Sequence, residues 1–433
     1  MPGDSDLLKK AAELLGKRTP QLNADELRHF VQLYLDRREI FIEAADYYGS
    51  PLYIIDSRAL QSRARNFTAT FRKHLPEISV YYAVKSNNHP EIMKRLADEG
   101  LGLDVSSGIE LNMALETSAS DIVFSGPGKT DKELSSAVDN SERVIVLIDS
   151  FGELVRLGFM AMQKNKNIRA GVRLTTDERG FWRKFGIPLG DLAHFFDEAD
   201  KYPHLSLSGL QFHTSWNMNA INQVKFIKRL GEELRTWPES RRQQIKFIDI
   251  GGGYWPPQGE WLQPAGTEEG RLMQALSSAA PMPERHHQLP AAPIEHFAEE
   301  IGRAVRTELF PFVNCRICLE PGRWICNDAM HILIRVVDKK ADDIIITDAG
   351  TNAIGWERFE TDYFPVINLT HPDLTEHQVY ILGSLCTPHD VWGYSYFGEK
   401  IEPGDYLLIP TQGAYTYSLR QNFIKPLPGT AII

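Results

Sequence analysis

The sequence contains no apolar run long enough to cross a bilayer, and only four of its 433 residues are cysteine. A transmembrane helix needs about 20 consecutive apolar residues, and four cysteines in a chain of this length do not form a disulfide framework. The first residues also lack the apolar core of a signal peptide. We therefore expect a soluble, cytoplasmic protein.

Blocks of like charge are also missing. The net charge is -10 and the pI about 5.8, but acidic and basic residues are mixed along the chain. This distribution argues against a nucleic-acid-binding face and against a polybasic membrane patch. The sequence therefore favours a protein that acts on small molecules, with no nucleic-acid or membrane partner.

Cys315 and Cys318 have C-x-x-C spacing but lie in the strand-like stretch "FVNCRICLE". Residues three apart in a strand point to opposite faces, and no second pair completes a zinc site. We expect both cysteines to pack in the core, and we predict no metal site.

Short β-rich runs alternate with longer amphipathic stretches from residue 52 onwards, which is typical of a parallel α/β architecture. Leaving aside "LYIID", eight such runs are present: "ISVYYAVK", "GLDVSS", "DIVFSG", "RVIVLID", "IRAGVRL", "LSLSGLQFH", "IKFIDIGGG" and "CRICLEPGR". Eight parallel strands with intervening helices predict a (β/α)8 barrel of the TIM type, with its chemistry at the carboxyl ends of the strands.

The predicted domains are a helical extension over residues 1–48, a barrel over 49–324 and an antiparallel β-domain over 325–433. The last assignment follows from β-rich runs without helices between them after residue 324. A Pro-, Gly- and Ala-rich insertion at 256–293 is expected to be an excursion over the barrel mouth. We expect its two histidines, His286 and His287, to be solvated.

Polar residues fall at or just after the ends of the predicted strands. They are Lys85, Asp104, Asp149, His213, the run Gly251 to Gly253, Glu320 and Arg323. This regularity favours an active site over the alternative, which is structural pairing of scattered core residues. Lys85 in "YYAVKSNNHP" is the most informative of them, because an ammonium group at a buried strand end must be paired, modified or chemically employed.

The stretch "DIGGGYWPP" places three glycines after an apolar strand, where their backbone N–H groups could approach a phosphate. Glycine runs alone are weak evidence, but "LEPGRWI" adds Arg323 as a cationic fork and Glu320 as a nearby acid. Together with Lys85 they indicate pyridoxal phosphate, which a lysine holds as a Schiff base and an ionisable partner tunes at the pyridine nitrogen. His213 is a candidate to stack on the cofactor ring.

From about residue 48 to 428 the chain resembles the barrel-type (fold type III) pyridoxal phosphate decarboxylases, which include the ornithine, arginine and diaminopimelate decarboxylases. The matching motifs are "YYGSPLYIID", "YYAVKSN", "GLDVSSGIEL", "SGPGKT", "FHTSWN", "DIGGGY", "EPGR", "GSLCTPHD" and "GAY". Each motif is weak alone, but their order and spacing are specific.

The resemblance implies roles for the matching residues. Lys85 would carry the cofactor and Glu320 would pair with its ring nitrogen. Asp104 and Glu110 would support the lysine region. The remaining cofactor contacts would come from His213, Ser215, Gly251, Gly252, Gly253, Gly322, Arg323 and Tyr415.

The resemblance also implies a homodimer with shared active sites. The segment matching "GSLCTPHD" would enter the active site of the other subunit, where Cys386 would protonate or orient the carbanion. Lys85, Cys386, Glu320 and His213 are thus the predicted catalytic residues.

The expected reaction is decarboxylation of an amino acid, since a carboxylate at Glu320 keeps the pyridine nitrogen protonated and the ring a strong electron sink. Barrel-type racemases place an arginine near this nitrogen, which makes racemisation the less favoured alternative. A non-catalytic pyridoxal phosphate binder would lack the β-domain and the interface cysteine.

Two positions depart from the family pattern. Where relatives often read His-x-Gly-Ser, this chain places Trp216, so Ser215 or Thr214 would have to supply the phosphate contact. Thr387 follows Cys386 where ornithine and diaminopimelate decarboxylases have an acid for the distal amino group. A buried ammonium needs a carboxylate partner.

The absence of an acid at Thr387 favours, as substrate, a basic amino acid with an acylated or citryl-conjugated tail, as in siderophore assembly or on carrier proteins. The alternative is diaminopimelate or ornithine itself, because Asp348 could still offer a carboxylate. The predicted substrate-binding residues are Trp216, Asp348, Arg358, His389 and Asp390.

Overall fold

The computed structural model describes residues 4–276, 283–355 and 358–433, and contacts divide the chain into two units. The barrel unit consists of residues 59–257 and 292–326. The β-domain unit consists of residues 1–58, 258–291 and 327–433. The helical extension, the insertion and the C-terminal strands, which the sequence predicts as separate parts, thus share one unit.

The elements are numbered along the chain. The helices are α1 (Asp4–Gly16), α2 (Ala24–Leu35), α3 (Arg38–Tyr48), α4 (Ser57–Arg72), α5 (Pro90–Asp98), α6 (Gly108–Leu115), α7 (Asp131–Asp139), α8 (Phe151–Lys164), α9 (Leu192–Ala199), α10 (Ile221–Thr236), α11 (Glu239–Arg242), α12 (Glu268–Leu276), α13 (Ile294–Ala304), α14 (Arg323–Cys326) and α15 (Arg358–Thr361). The strands are β1 (Leu52–Ile55), β2 (Ile78–Ala83), β3 (Gly102–Val105), β4 (Ile122–Phe124), β5 (Val144–Ile148), β6 (Ile168–Leu174), β7 (Leu205–Phe212), β8 (Phe247–Asp249), β9 (Glu260–Leu262), β10 (His287–Leu289), β11 (Arg316–Leu319), β12 (Met330–Ala341), β13 (Ile344–Thr347), β14 (Ile367–Asn368), β15 (Glu376–Leu382), β16 (Val391–Phe397), β17 (Tyr406–Ile409) and β18 (Gly429–Ile432).

Eight parallel strands close into a barrel in the order β11-β2-β3-β4-β5-β6-β7-β8. These are the eight predicted runs, so the barrel prediction is confirmed. Strands in such a barrel are covered on both faces and therefore read as nearly continuous apolar runs. In β5, for example, all five residues are buried.

Hydroxyl side chains begin the helices that follow three of the barrel strands. Ser107 caps α6, Thr130 forms a capping box with Glu133 at α7, and Ser150 caps α8. Each cap satisfies an N–H group that the first helical turn leaves without a partner. The caps keep the strand-to-helix connections short, so the strand ends are held in fixed positions.

The β-domain unit contains an eight-stranded sheet in the order β13-β15-β16-β14-β17-β12-β1-β18. The predicted sheet was antiparallel, but the observed one is mixed. The pairs β1–β18, β13–β15 and β14–β16 are parallel, and β12 pairs with β1, β13 and β17 in antiparallel fashion. The parallel pair β1–β18 arises because "LYIID" supplies an N-terminal strand to this sheet.

The N-terminal stretch forms three helices, as predicted, and α2 and α3 contribute Val31 and Phe41 to the core of the β-domain unit. The expectation of a solvated His286 is wrong. This side chain is buried, its Nε2 lies 2.9 Å from Glu376 Oε1, and its ring stacks on Tyr363. Over residues 4–276, 283–355 and 358–433, no helix has the length and apolar character needed to cross a membrane.

Candidate active site

Lys85 lies in a single helical turn, Val84–Ser86, directly after β2. Two hydrogen bonds hold the turn against the end of β2. The Ser86 hydroxyl donates to Ala83 O at 2.7 Å, and the Tyr82 hydroxyl donates to Asn87 O at 3.0 Å. Ser86 and Asn87 are fully buried, whereas the Lys85 side chain keeps 34% of its surface exposed. The turn thus presents the amine at the barrel mouth on a rigid base.

Asp104 at the end of β3 holds the Lys85 amine. Its Oδ2 accepts a hydrogen bond from Lys85 Nζ at 2.8 Å, and its Oδ1 accepts one from the Ser125 hydroxyl. Glu110 accepts the Ser106 N–H at 2.7 Å, and burial raises the pKa of this carboxyl. Two buried acids therefore lie in the region of the lysine, Asp104 in contact with its amine and Glu110 within range of its charge.

Glu320 follows β11 and is buried, with its carboxylate at long hydrogen-bond distance from Gln211 Nε2, 3.4 and 3.5 Å. Burial, together with the negative charges of Asp249 and Asp104, raises the pKa of Glu320 well above its usual range. A buried carboxyl of this kind ionises fully only when a cation is placed beside it.

His213 is a neutral imidazole in this site. Its Nδ1 accepts the Gly252 N–H at 3.1 Å, so the proton lies on Nε2. Burial lowers the pKa of His213 well below its usual range, and the positive charges of Lys85 and Arg173 lower it further. The 3.9 Å separation between His213 Nδ1 and Glu320 is accordingly not an ion pair.

The glycine run is packed too tightly for side chains. A Cβ atom at Gly252 would lie 2.1 Å from Glu320 O, and one at Gly253 would lie 2.2 Å from Thr214 O. Gly251 and Gly253 also adopt positive φ values, of 68° and 82°. The Gly251 and Gly252 N–H groups donate to Asp249 and His213. Of the three glycine N–H groups, that of Gly253 is therefore the one that has no acceptor among the described residues and is available to an anion.

Arg323 begins α14, and its guanidinium lies 4.3 Å from the centre of the Trp255 ring. Trp216 packs on the other tryptophan, with ring centroids 5.2 Å apart, but remains 63% exposed at a positive φ of 57°. Trp216, Trp255 and Arg323 thus form one stack. It connects Trp216, which departs from the family pattern, with the arginine that is predicted to bind phosphate. Ser215 lines a separate cavity of about 550 Å³ together with Lys225.

Each barrel strand contributes at least one polar side chain at or just after its carboxyl end. These residues are Lys85, Asp104, Ser125, Asp149, Arg173, Gln211, Asp249 and Glu320. Four of them are carboxyl groups, and two, Lys85 and Arg173, are basic. His213, which follows β7, is neutral. The layer has an excess of acid, which the cationic ring nitrogen of pyridoxal phosphate would balance. The amine of Lys85, the side-chain-free glycine loop and Arg323 fit the other parts of this cofactor.

Asp249, Gln211, Arg173 and Ser125 were not singled out from the sequence. Asp249 is fully buried, its Oδ1 accepts the Gly251 N–H at 2.8 Å, and its Oδ2 has no hydrogen-bond partner in the described part of the chain. Burial raises the pKa of Asp249 to about 7. All four residues stand at strand ends, so the rule that found Lys85 and Glu320 applies to them as well.

The loop that carries Cys386 is shaped by Asp390 in the β-domain unit. Asp390 Oδ1 accepts the Thr351 N–H at 2.7 Å, and Oδ2 accepts the Leu385 N–H at 2.7 Å. The Cys386 thiol itself is exposed. Because both oxygens of Asp390 accept backbone N–H groups, one of the Cys386 loop and one of the turn at Thr351, this geometry supports a positioning role for Asp390 and does not support its predicted contact with substrate.

Other predicted substrate residues in the β-domain unit also have partners. Asp348 accepts hydrogen bonds from the Ser50 hydroxyl at 2.6 Å and from the Arg335 N–H at 2.9 Å. His389 Nδ1 lies 3.1 Å from Glu360 Oε1. Tyr415 is half-buried at a positive φ of 57°. The side chain of Arg358 lies outside the described part of the structure.

Comparison with known proteins identifies the family. Residues 61–327 match the model of the pyridoxal-dependent decarboxylase, pyridoxal binding domain. A diaminopimelate decarboxylase of Aquifex aeolicus is 28% identical over 90% of this chain and 90% of its own length. A Staphylococcus aureus 2-[(L-alanin-3-ylcarbamoyl)methyl]-2-hydroxybutanedioate decarboxylase is 24% identical over 85% of this chain and 89% of its own.

Among solved structures, diaminopimelate decarboxylase from M. jannaschii in co-complex with L-lysine superimposes with a TM-score of 0.75. It is 21% identical, and the match covers 90% of this chain and 89% of that chain. The chain belongs to the pyridoxal-dependent decarboxylase family. It is a carboxy-lyase that acts on an amino acid with pyridoxal 5'-phosphate as its cofactor.

Proposed function

We propose that the substrate is a basic amino acid whose distal amino group is acylated or joined to a larger acid, such as a citryl conjugate. The observation that carries this proposal is that two carboxylates which could bind a distal ammonium, those of Asp348 and Asp390, already accept other hydrogen bonds. Both oxygens of Asp348 and both of Asp390 accept hydrogen bonds from other parts of the β-domain unit. Thr387 supplies no charge where relatives that take free diamino acids have an acid.

A bare distal ammonium would have to be desolvated without a partner, which costs more than the loss of an apolar contact. A neutral amide does not carry the cost of burying a charge. The relative from Staphylococcus aureus supports the proposal, because its name describes an amino acid linked through a carbamoyl group to a hydroxybutanedioate.

The second candidate substrate is free diaminopimelate. The relative from Aquifex aeolicus carries this name, and Glu360 offers a partly exposed carboxylate beside His389, which is two residues from Thr387. Glu360 is, however, already engaged, because its Oε1 lies 3.1 Å from His389 Nδ1.

We assign the chemistry of the carboxyl loss to the barrel residues. Pyridoxal phosphate, when bound, accepts the electrons left by departing carbon dioxide. Lys85 would hold the cofactor, and Asp104 would orient the amine through the 2.8 Å hydrogen bond. Glu320 would pair with the ring nitrogen, neutral His213 would lie against the ring, and Arg323 with the Gly253 N–H would bind the phosphate.

We also propose that the protein works as a homodimer in which Cys386 of one subunit assists Lys85 of the other. The support is the exposure of the Cys386 thiol on a loop fixed by Asp390 and the family resemblance of "GSLCTPHD". A two-fold interface would make the two sites equivalent.

The substrate proposal is tested by measuring carbon dioxide release from matched free and N-acylated diamino acids, including a citryl amide. We expect the conjugates to have the higher kcat/KM. Thr387→Asp should shift preference toward the free diamino acids by about tenfold or more, since it restores a partner for the ammonium.

Pro388→Asp is the matched control, because it adds the same charge to the next, exposed position of the loop. A wild-type enzyme that turns over free diaminopimelate better than every conjugate would refute the acylated-tail proposal. That result would leave the decarboxylase assignment intact.

A further inference from the structure

A second cavity of about 470 Å³ lies at the opposite end of the barrel strands from Lys85. It is lined by the first residues of β2, β3 and β11, which are Ile78, Gly102 and Arg316, and by one side of α4. The cavity therefore opens at the amino-terminal ends of the strands. Its volume falls in the range of roughly 300–1,000 Å³ that small-molecule sites occupy.

The charged residues of this cavity are not all paired. Arg65 makes two hydrogen bonds to Glu99, at 2.7 and 2.8 Å, and Asp121 is held by Arg169 at 2.9 Å. Both acids that line the cavity are thus neutralised by arginines.

Two lining arginines remain. Within the described residues, Arg72 on α4 and Arg316 at the start of β11 have no carboxylate within 4.0 Å. Arg316 is half-buried, and Arg72 is exposed. Asp121 acts on Arg316 at longer range. A partly desolvated guanidinium with no carboxylate in direct contact attracts an anion more strongly than one in bulk water.

Tyr81 supplies a third group that lacks a partner. Its ring packs over Gly102 inside the barrel, the residue is 1% exposed, and its hydroxyl has no hydrogen-bond partner in the described part of the chain. A buried hydroxyl without a partner costs free energy, so such groups are normally satisfied by water or by a ligand. Burial raises the pKa of Tyr81 well above its usual range, so the hydroxyl keeps its proton and is available as a donor.

We propose that this cavity is a binding site for a small dianion of the phosphate or dicarboxylate type. Arg316 and Arg72 would bind the two negative charges, and the Tyr81 hydroxyl would donate to one anion oxygen. Guanidinium groups suit both ligand types because they match planar carboxylate and phosphate edges. The site is separate from the cofactor phosphate site, which lies at the carboxyl ends of the strands, and it does not depend on the substrate proposed above.

The test uses the cofactor-loaded protein after borohydride reduction, so that the phosphate site at Arg323 stays filled. Calorimetric titrations with inorganic phosphate and, separately, with succinate distinguish the two ligand types. We expect saturable binding of at least one of them, and a rise in the unfolding temperature with ligand concentration, because ligand binds only the folded state.

Arg316→Gln should raise the dissociation constant about tenfold or more, and Tyr81→Phe should raise it several-fold. Arg303→Gln is the matched control, since Arg303 is an exposed arginine of the barrel unit outside the cavity, and should leave binding unchanged. If Arg316→Gln does not fold, Arg72→Gln replaces it, as Arg72 lies on the surface. Absence of saturable binding of both anions, or binding that folded Arg72→Gln and Tyr81→Phe variants retain in full, would overturn the proposal.

Discussion

Asp249 and Glu320 are two buried carboxyl groups connected through the backbone of Gly251. The Asp249 carboxylate accepts the Gly251 N–H at 2.8 Å, and the Gly251 carbonyl accepts the Glu320 N–H at 2.9 Å. Burial raises the pKa of both groups. The Asp249 charge raises the pKa of Glu320 further, whereas hydrogen bonding with the Glu320 side chain lowers the pKa of Asp249. A cation beside Glu320 would therefore ionise Glu320 and favour the neutral form of Asp249, which divides the two acids into different roles.

The first prediction concerns Asp249→Asn in the cofactor-free protein. The pKa of Asp249 is raised from an ordinary value of 3.8 to about 7 in the fold, so the folded state holds a proton that the unfolded state releases. Stability from this group is present below pH 3.8 and is lost as the pH rises toward 7. Asparagine mimics the protonated form, and its unfolding temperature should fall less than that of wild type between pH 5 and pH 8. Equal pH profiles for the two proteins would contradict the assignment.

Glu320→Gln should distinguish the effect of Glu320 on folding stability from its effect on catalysis. Because Glu320 is largely protonated without a cation, glutamine should leave the folding of the cofactor-free protein nearly unchanged. The loaded enzyme should lose about a hundredfold or more in kcat, as is typical when one preorganised electrostatic partner is removed. An unchanged kcat would mean that another group pairs with the ring nitrogen. Circular dichroism of the same preparation controls for unfolding.

Lys85→Ala should abolish both decarboxylation and the visible absorbance of the bound cofactor. Lys129 is the internal control, because this buried lysine is already bonded to Gly126 O, Leu147 O and Glu153, at 2.6 to 2.8 Å. Borohydride reduction followed by peptide mapping should place the label on Lys85 alone. Label on Lys129 would refute the site.

Lys129→Met should destabilise the barrel by about 3–5 kcal/mol, because it leaves Glu153 buried without its partner. Both side chains are nearly inaccessible, at 0% and 2% exposure. The double variant Lys129→Met with Glu153→Leu should recover most of that loss, as apolar replacement removes both charges. Chemical denaturation of the three proteins gives the comparison, and an additive double variant would show that the pair does not interact.

Subunit mixing tests the proposed shared site. Inactive Lys85→Ala and Cys386→Ala subunits, mixed at equal ratio and allowed to exchange, should recover about a quarter of the wild-type sites if exchange is random. Exchange is verified independently with tagged subunits. No recovery despite complete exchange would indicate that each chain contains its own complete site.

The barrel was predictable because every strand is an apolar run that ends in a polar residue, a pattern carried by local sequence. Lys85, Glu320 and Arg323 were found by the same rule. Asp249 gives no separate local signal, because it stands just before the glycine run, whose backbone N–H groups are the stronger indication of a site. Gln211 resembles an ordinary strand residue, and only its contact with Glu320 shows its place in the site.

Other features depend on distant parts of the chain and left no local signal. The parallel pairing of Leu52 with Gly429 joins residues at the two ends of the sequence. The burial of His286 depends on Glu376, 90 positions away. The stack of Trp216 on Trp255 likewise required the loops after β7 and β8 to be brought together.

The position of β1 between β12 and β18 has a consequence for how the chain is synthesised. Leu52 pairs with Leu333 on one side and with Gly429 on the other, so β1 leaves the ribosome long before either partner exists. The barrel unit, which ends at residue 326, can be completed during translation. Until β12 has been synthesised, β1 is an apolar strand with two unpaired edges, and the edge that pairs with β18 stays unpaired until residues 429–432 have also left the ribosome. Between the synthesis of β1 and that of β18, the nascent chain therefore exposes an apolar strand edge that is open to aggregation.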